Sequence, residues 1–237
     1  MRTVIQIPID DVTPSPAAIL EAQGVPHGRH NHERTRGLAL QALGIYREKA
    51  RPAGCLMETT NEVFASVFHG EGRNEKESPV KPIAEASTHR ALFAVTIGEP
   101  VCREISDRFR ANDFALGSML DAAASAGADM AAQVLEDLFR KELAEKGRLG
   151  PRDGVLRFSP GYCGWHMSSQ RKLFDVLRPG ELGITLNMSF LMQPLKSVTG
   201  AILSGEKGIF IFDDTFAFCR DCTDHTCRDR IQTIMNQ

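Results

Sequence analysis

The segment Arg157-Phe158-Ser159-Pro160-Gly161-Tyr162 puts a guanidinium, a turn and an aromatic ring within six residues. The planar fork of Arg157 suits a carboxylate. Pro160 fixes its own φ and biases Ser159 toward an extended shape, which leaves main-chain amides and carbonyls available to a ligand. Gly161 has no Cβ, so a ligand can come close to the backbone. Tyr162 offers a flat face to an aromatic ring. Together these groups could hold a small zwitterion with an attached base, and the residue types alone do not say which one. The plain alternatives are a surface arginine and packing aromatics, Trp165 among them.

A second cluster is Cys219-x-x-Cys222-x-x-x-x-Cys227. Thiolates are ligands of Zn and of iron–sulfur clusters, and a C-x-x-C spacing suits one metal. Three cysteines need a fourth donor to close a site. His225, Cys163, Cys55 and Cys102 are the candidates, or the position stays open. An iron–sulfur cluster could carry an electron, whereas Zn would be structural. Reduced, unligated thiols are the bland reading. His27, His30 and His32 have a metal-like spacing, but in their glycine-containing loop they read as solvated.

The elements that must position these groups are visible in the hydrophobic pattern. Thr3–Ile9 alternates as a strand, and Arg34–Lys49 is helical, with Leu38, Leu40, Leu43 and Ile45 apolar. Residues 51–88 read as a loop-rich connector around one short helix. Ala91–Ile97 is a continuous apolar run, consistent with a buried strand. Pro100 suits the first turn of a helix on which Val101, Ile105 and Phe109 recur every four residues. A long helix over about 114–144 carries a stripe of Met119, Ala123, Ala126, Met130, Val134, Leu138 and Phe139. Asp121, Ser125, Asp129, Gln133 and Asp137 follow another face. Gly147, Gly150 and Pro151 stop it. A short helix around Leu173–Leu177, with Ser168 or Ser169 as cap, precedes three strands over 183–188, 197–203 and 208–212.

Composition narrows the function. The chain has 237 residues and a formal net charge of -2, which disfavours a nucleic-acid binder. No window approaches the ~20 apolar residues of a membrane span, and the N-terminus lacks the pattern of a signal peptide, so a cytoplasmic protein is expected. Six cysteines in such a chain do not indicate a disulfide framework.

The strip at 157–162 resembles the R-x-x-P-G-Y-P signature of the reactivation (activation) domain of cobalamin-dependent methionine synthase. The similarity continues through Gln170-Arg171-Lys172-Leu173-Phe174, Gly183-Ile184-Thr185-Leu186, Ser189-Phe190-Leu191-Met192-Gln193-Pro194 and Lys196-Ser197-Val198-Thr199-Gly200. It covers about residues 88–205 and is strongest at 154–200. Its departures are Cys163 where the family has Pro, Asp153 as the sole acid near a second acidic position, and Phe210 as the nearest aromatic to a missing Tyr.

What the resemblance implies is an α/β (α+β) fold, a twisted, mainly antiparallel sheet flanked by helices with an N-terminal helical extension. Residues 1–88 would pack as that extension on an S-adenosylmethionine-binding core at 89–213, followed by a Cys-rich segment at 214–237. Arg157 would bind the carboxylate of S-adenosylmethionine, Ser159 and Gly161 would give main-chain contacts, and Tyr162 would lie near the ligand and the corrinoid. Asp129, or Gln133 in a shifted pairing, would hold the ammonium. The implied reaction is reductive remethylation of cobalamin on methionine synthase or another corrinoid protein, with a flavoprotein or ferredoxin-like electron donor and no general base. A contrasting expectation is a non-enzymatic iron–sulfur or zinc accessory protein that docks on corrinoid proteins.

Overall fold

The computed structural model describes residues 2–26, 28, 32–211 and 226–236. Its centre is a five-stranded antiparallel sheet with strands β1 (Arg2–Gln6), β2 (Ala53–Glu58), β3 (His89–Thr96), β4 (Asp153–Phe158) and β7 (Ser197–Glu206), in spatial order β1-β2-β3-β7-β4. Two-residue strands β5 (Thr185–Leu186) and β6 (Met192–Gln193) form a separate small hairpin. The helices are α1 (Pro16–Ala22), α2 (Glu33–Lys49), α3 (Asn61–His69), α4 (Val80–Ala86), α5 (Glu99–Arg110), α6 (Phe114–Glu145), α7 (Gln170–Leu177) and a C-terminal α8 (Thr226–Met235). This is the expected class: helices flanking an antiparallel sheet. Residues 2–58 contribute two of its strands as well as helices. Among the described residues no helix is long and apolar enough to cross a membrane.

Side chains alternate across a pleated strand, so each strand serves two cores. Leu56, Phe93, Val95, Val155 and Ile202 face Ala131, Ala132, Leu135 and Phe139 of α6. Cys55, Leu92, Leu156, Phe158 and Leu203 face α3, α7 and the buried Trp165 on the opposite side. By the same alternation Arg157, two residues after Val155, projects toward α6. A third cluster joins α1, α2 and α5 to the first half of α6 through Leu20, Leu43, Tyr46, Ile105 and Leu120.

Several sequence expectations are corrected. β1 ends at Gln6, and a 3₁₀ turn over Ile9–Val12 replaces its last residues. The connector at 51–88 contains β2 and two helices, and β4 also went unrecognised. Both strands carry a glycine that weakens their signal but is required by packing. A Cβ on Gly54 would lie 3.0 Å from Leu135 Cδ1, and one on Gly154 would lie 2.6 Å from Ile234 Cγ2. The buried stripe of α6 runs through Leu116, Leu120, Ala124, Ala131, Leu135 and Phe139, while Met130, Val134 and Leu138 are only partly buried. A step of four drifts off a 3.6-residue turn, and the sheet follows the true period. Of the strand expected at 208–212, residues 208–210 fall in a 3₁₀ turn over Lys207–Phe210, and residue 212 lies outside the described residues.

Helix α6 lies close to α2 because of Gly127. A Cβ there would sit 2.0 Å from Tyr46 Oη and 3.0 Å from the carbonyl oxygen of Val12. Tyr46 is fully buried, its hydroxyl donates to that carbonyl at 2.8 Å, and burial pushes its pKa up. In an exposed helix Gly→Ala would stabilise by about 1 kcal/mol. Here overpacking governs the sign: Gly127→Ala is expected to lower unfolding stability by about 1–3 kcal/mol in urea titrations.

Candidate functional site

Strand β4 stops at Phe158, opposite Ala201, whereas β7 continues back to Ser197 and is still paired there with Thr96 of β3. The stretch Ser197–Gly200 therefore has an edge that β4 leaves uncovered. A cavity of about 490 Å³ opens in this notch, within the size range of small-molecule sites (~300–1,000 Å³). Its walls come from Arg157–Pro160, Ser197–Thr199, Asp129 of α6, Gln170 of α7, and Cys227, Asp229 and Arg230 of α8, with Tyr162, Cys163 and Met192 completing the lining.

The chain leaves β4 through a turn. The amide of Tyr162 donates to Ser159 O at 3.2 Å, and Gly161 takes a φ of 96° that favours glycine. The amide of Gly161 is spent on Trp165 O, at 2.6 Å. The strip is thus a closed turn rather than an extended ribbon. Gly161 shapes it without lining the cavity, while Ser159 and Tyr162 do line it. Tyr162 is 56% exposed at the mouth. Gly200 admits the turn: a Cβ there would fall 2.1 Å from Phe158 O.

The Arg157 side chain is 14% exposed and ion-paired with Glu136, at 3.1 Å. Glu136 Oε2 also accepts the Arg157 amide at 3.0 Å, and Gln133 Oε1 accepts from the same guanidinium nitrogen. Asp137 orients Gln133 by accepting from its Nε2 at 3.0 Å. Among the described residues Glu136 is the one charged residue that is buried. A second guanidinium approaches it: Arg230 Nη1 lies 3.9 Å from Glu136 Oε2 and donates to Arg157 O at 3.2 Å. Burial, and then the charge of Arg157, push the pKa of Arg230 down, while Glu136, Cys227 and Cys163 act in the opposite direction. On the other face of the sheet, Thr199 Oγ1 donates to Gln170 Oε1 at 3.1 Å, and both residues are buried.

The expected residues Arg157, Ser159, Tyr162 and Asp129 thus share one cavity, with Asp129 on its exposed side. Gln133 is not part of that lining and stands behind it as a partner of Arg157. Glu136, Gln170 and Arg230 were missed. Asp129, Gln133 and Glu136 are spaced four and three apart, one helical face, so Glu136 was readable from the sequence. Asp153 is not in the cavity, since its carboxylate accepts from the Gly150 amide at 2.7 Å. Phe210 is fully buried in the core.

Of the cysteine triplet, Cys219 and Cys222 lie outside the described residues, as does His225. Cys227 lines the cavity with Cys163; Cys55 is buried in β2, and Cys102 sits half-buried on α5. Among the described residues no group of three or more His, Cys, Asp or Glu is placed to hold a metal.

Residues 80–212, more than half of the chain, match the family model described as "Vitamin B12 dependent methionine synthase, activation domain". No curated protein matches. Among solved structures, the MetH reactivation domain bound to AdoHcy superposes with a TM-score of 0.61 at 14% sequence identity, covering 99% of this chain and 90% of that one.

Replacing Glu136 by Ala would leave a buried amide and a guanidinium without their acceptor. Losing one partner of a buried pair costs about 3–5 kcal/mol. Urea denaturation of Glu136→Ala is expected to show a loss of that size. Asp107→Ala, which removes an exposed pair with Arg110, should stay within about 0.5 kcal/mol of the parent.

Proposed function

The chain belongs to the family of the vitamin B12 dependent methionine synthase activation domain, and from that premise we propose that it binds S-adenosylmethionine in the notch beside β7 and presents the methyl group to a corrinoid held by methionine synthase or a related partner protein. The observation that carries this reading is the convergence of Arg157, Ser159, Tyr162 and Asp129 on one cavity of ligand size. The similarly folded reactivation domain was solved with AdoHcy, which is S-adenosylmethionine without its methyl group.

The residues divide the work by charge and shape. The cationic end, at Arg157, takes the ligand's carboxylate through guanidinium hydrogens left over from Glu136 and Gln133. A guanidinium has five N–H donors, so an internal pair does not exhaust it. Asp129, on the exposed side of the cavity, takes the ammonium. Ser159 and the uncovered edge of β7 offer main-chain groups to the adenosyl portion, and Tyr162 lies over it at the mouth. Met188 and Leu191, on the loop of the β5–β6 hairpin whose Met192 lines the cavity, and Leu195 after β6 are exposed apolar side chains that in this reading meet the corrinoid protein.

The chemistry needs little acid or base. S-adenosylmethionine supplies an electrophilic methyl group to a partner corrinoid that has received one electron from a flavoprotein or ferredoxin-like donor, and S-adenosylhomocysteine is left behind. The chain's own contribution is proximity: it fixes the sulfonium so that the methyl group points out of the cavity toward the docked partner.

Anaerobic isothermal titration tests this directly. Wild-type protein is expected to bind S-adenosylmethionine, Arg157→Ala to show no measurable binding, and Asp129→Asn to bind about tenfold more weakly. Thermal melts of both variants check that they remain folded. Wild-type protein that takes up no S-adenosylmethionine at millimolar concentration would contradict the assignment.

A further inference from the structure

Glu136 serves two guanidinium groups, and it serves them unequally. Its Oε2 accepts both the amide and the side chain of Arg157, at 3.0 and 3.1 Å, whereas Arg230 reaches it only at 3.9 Å. Arg230 donates a hydrogen bond to a neutral main-chain carbonyl, Arg157 O. The Arg230 side chain is 29% exposed and lines the cavity. A guanidinium does not shed its proton in a protein. At this corner of the cavity two guanidinium groups converge on one buried carboxylate, while the other acids of the lining, Asp129 and Asp229, are exposed, and a partly desolvated pair of cations favours an anionic group in the ligand.

Helix α8 is built to keep Arg230 there. Ile234, one turn further on, is 3% exposed and packs against Gly154 and Phe210. Gly154 has no Cβ, and one would come within 2.6 Å of Ile234 Cγ2. The helix is therefore seated on the start of β4 through Ile234, with Arg230 held over the far end of the same strand. All of α8 lies beyond residues 80–212, the span matched by the family model, so this cation comes from outside the shared pattern.

We propose that Arg230 is a specificity-determining residue of the site: it holds the ligand's carboxylate jointly with Arg157, so that the C-terminal helix makes the cavity selective for an adenosyl sulfonium that retains its amino-acid carboxylate. This rests on the S-adenosylmethionine reading above. Among the described residues Arg157 is the better anchored cation, with the side-chain acceptors Gln133 and Glu136 against the one main-chain carbonyl that Arg230 bonds. A carboxylate between them would receive donors from two directions, a stronger arrangement than either alone.

The test compares two ligands on the full chain: S-adenosylmethionine and its decarboxylated analogue, which keeps the sulfonium, the adenosine and the ammonium. Wild-type protein is expected to prefer S-adenosylmethionine by about tenfold or more. Arg230→Met should weaken S-adenosylmethionine binding by about tenfold, leave the analogue within about twofold, and so erase most of the preference. Arg230→Lys should restore part of it, because the charge returns without the fork. If Arg230→Met binds S-adenosylmethionine as well as wild type does, or loses both ligands equally, the inference is overturned while the proposed function stands. If wild-type protein binds neither ligand, the proposed function fails and the inference with it.

Discussion

The carboxylate of Glu136 is the constraint on which the site depends. It sits between α6 and β4 with almost no exposure, and a buried charge is tolerated only when it is paired and fully hydrogen-bonded. The amide and guanidinium of Arg157 meet that demand from the strand, Gln133 braces the same guanidinium from the helix, and Arg230 adds a second cation from α8. The end of β4 is fixed against α6 in this way, and everything that follows β4 in the chain, the Pro-Gly turn included, inherits its position. An arginine at this point has two duties, structural toward the acid and available toward the cavity.

The notch itself is a product of strand length. β7 is ten residues long and β4 only six, so pairing from the Glu206 end leaves four residues of β7 without a β4 neighbour. A sheet edge of this kind is open to whatever can satisfy its main chain. Here it is walled by the turn on one side and by residues of three helices, α6, α7 and α8, on the others, which converts an exposed edge into a cavity. Glycines at the points of closest approach make the walls fit. Gly200 lets the turn lie against β7, Gly154 lets α8 lie against β4, and Gly127 lets α6 lie against Tyr46.

Much of this was legible in the sequence. The apolar run of β3 and the extent of α6 each carry a local signal and fall where they were expected, and the motif at 157–162 lines the cavity with all its residues but Gly161. The missed elements share a physical cause. β2 and β4 contain glycines that weaken strand propensity, and the reason for those glycines is a contact with Leu135 or Ile234 that no local pattern announces. The face of α6 was read with a period of four, which turned attention to Asp137 and past Glu136. Arg230 lies 73 residues from the carbonyl it bonds, so only the folded chain brings it to the site. The turn at Ser159–Tyr162 was half legible: Pro160 and Gly161 announce a bend, but the use of the Gly161 amide by Trp165 depends on burying that indole.

The notch between β4, β7, α6 and α8 is proposed as the binding site for an adenosyl amino acid. The most direct measurement is a crystal structure of the chain soaked with S-adenosylhomocysteine. The account predicts the ligand lying along the uncovered edge of β7, with its carboxylate at the guanidinium groups of Arg157 and Arg230 and its amino group toward Asp129. Ligand bound elsewhere, or a notch that stays free of ligand at saturating concentration, would contradict it.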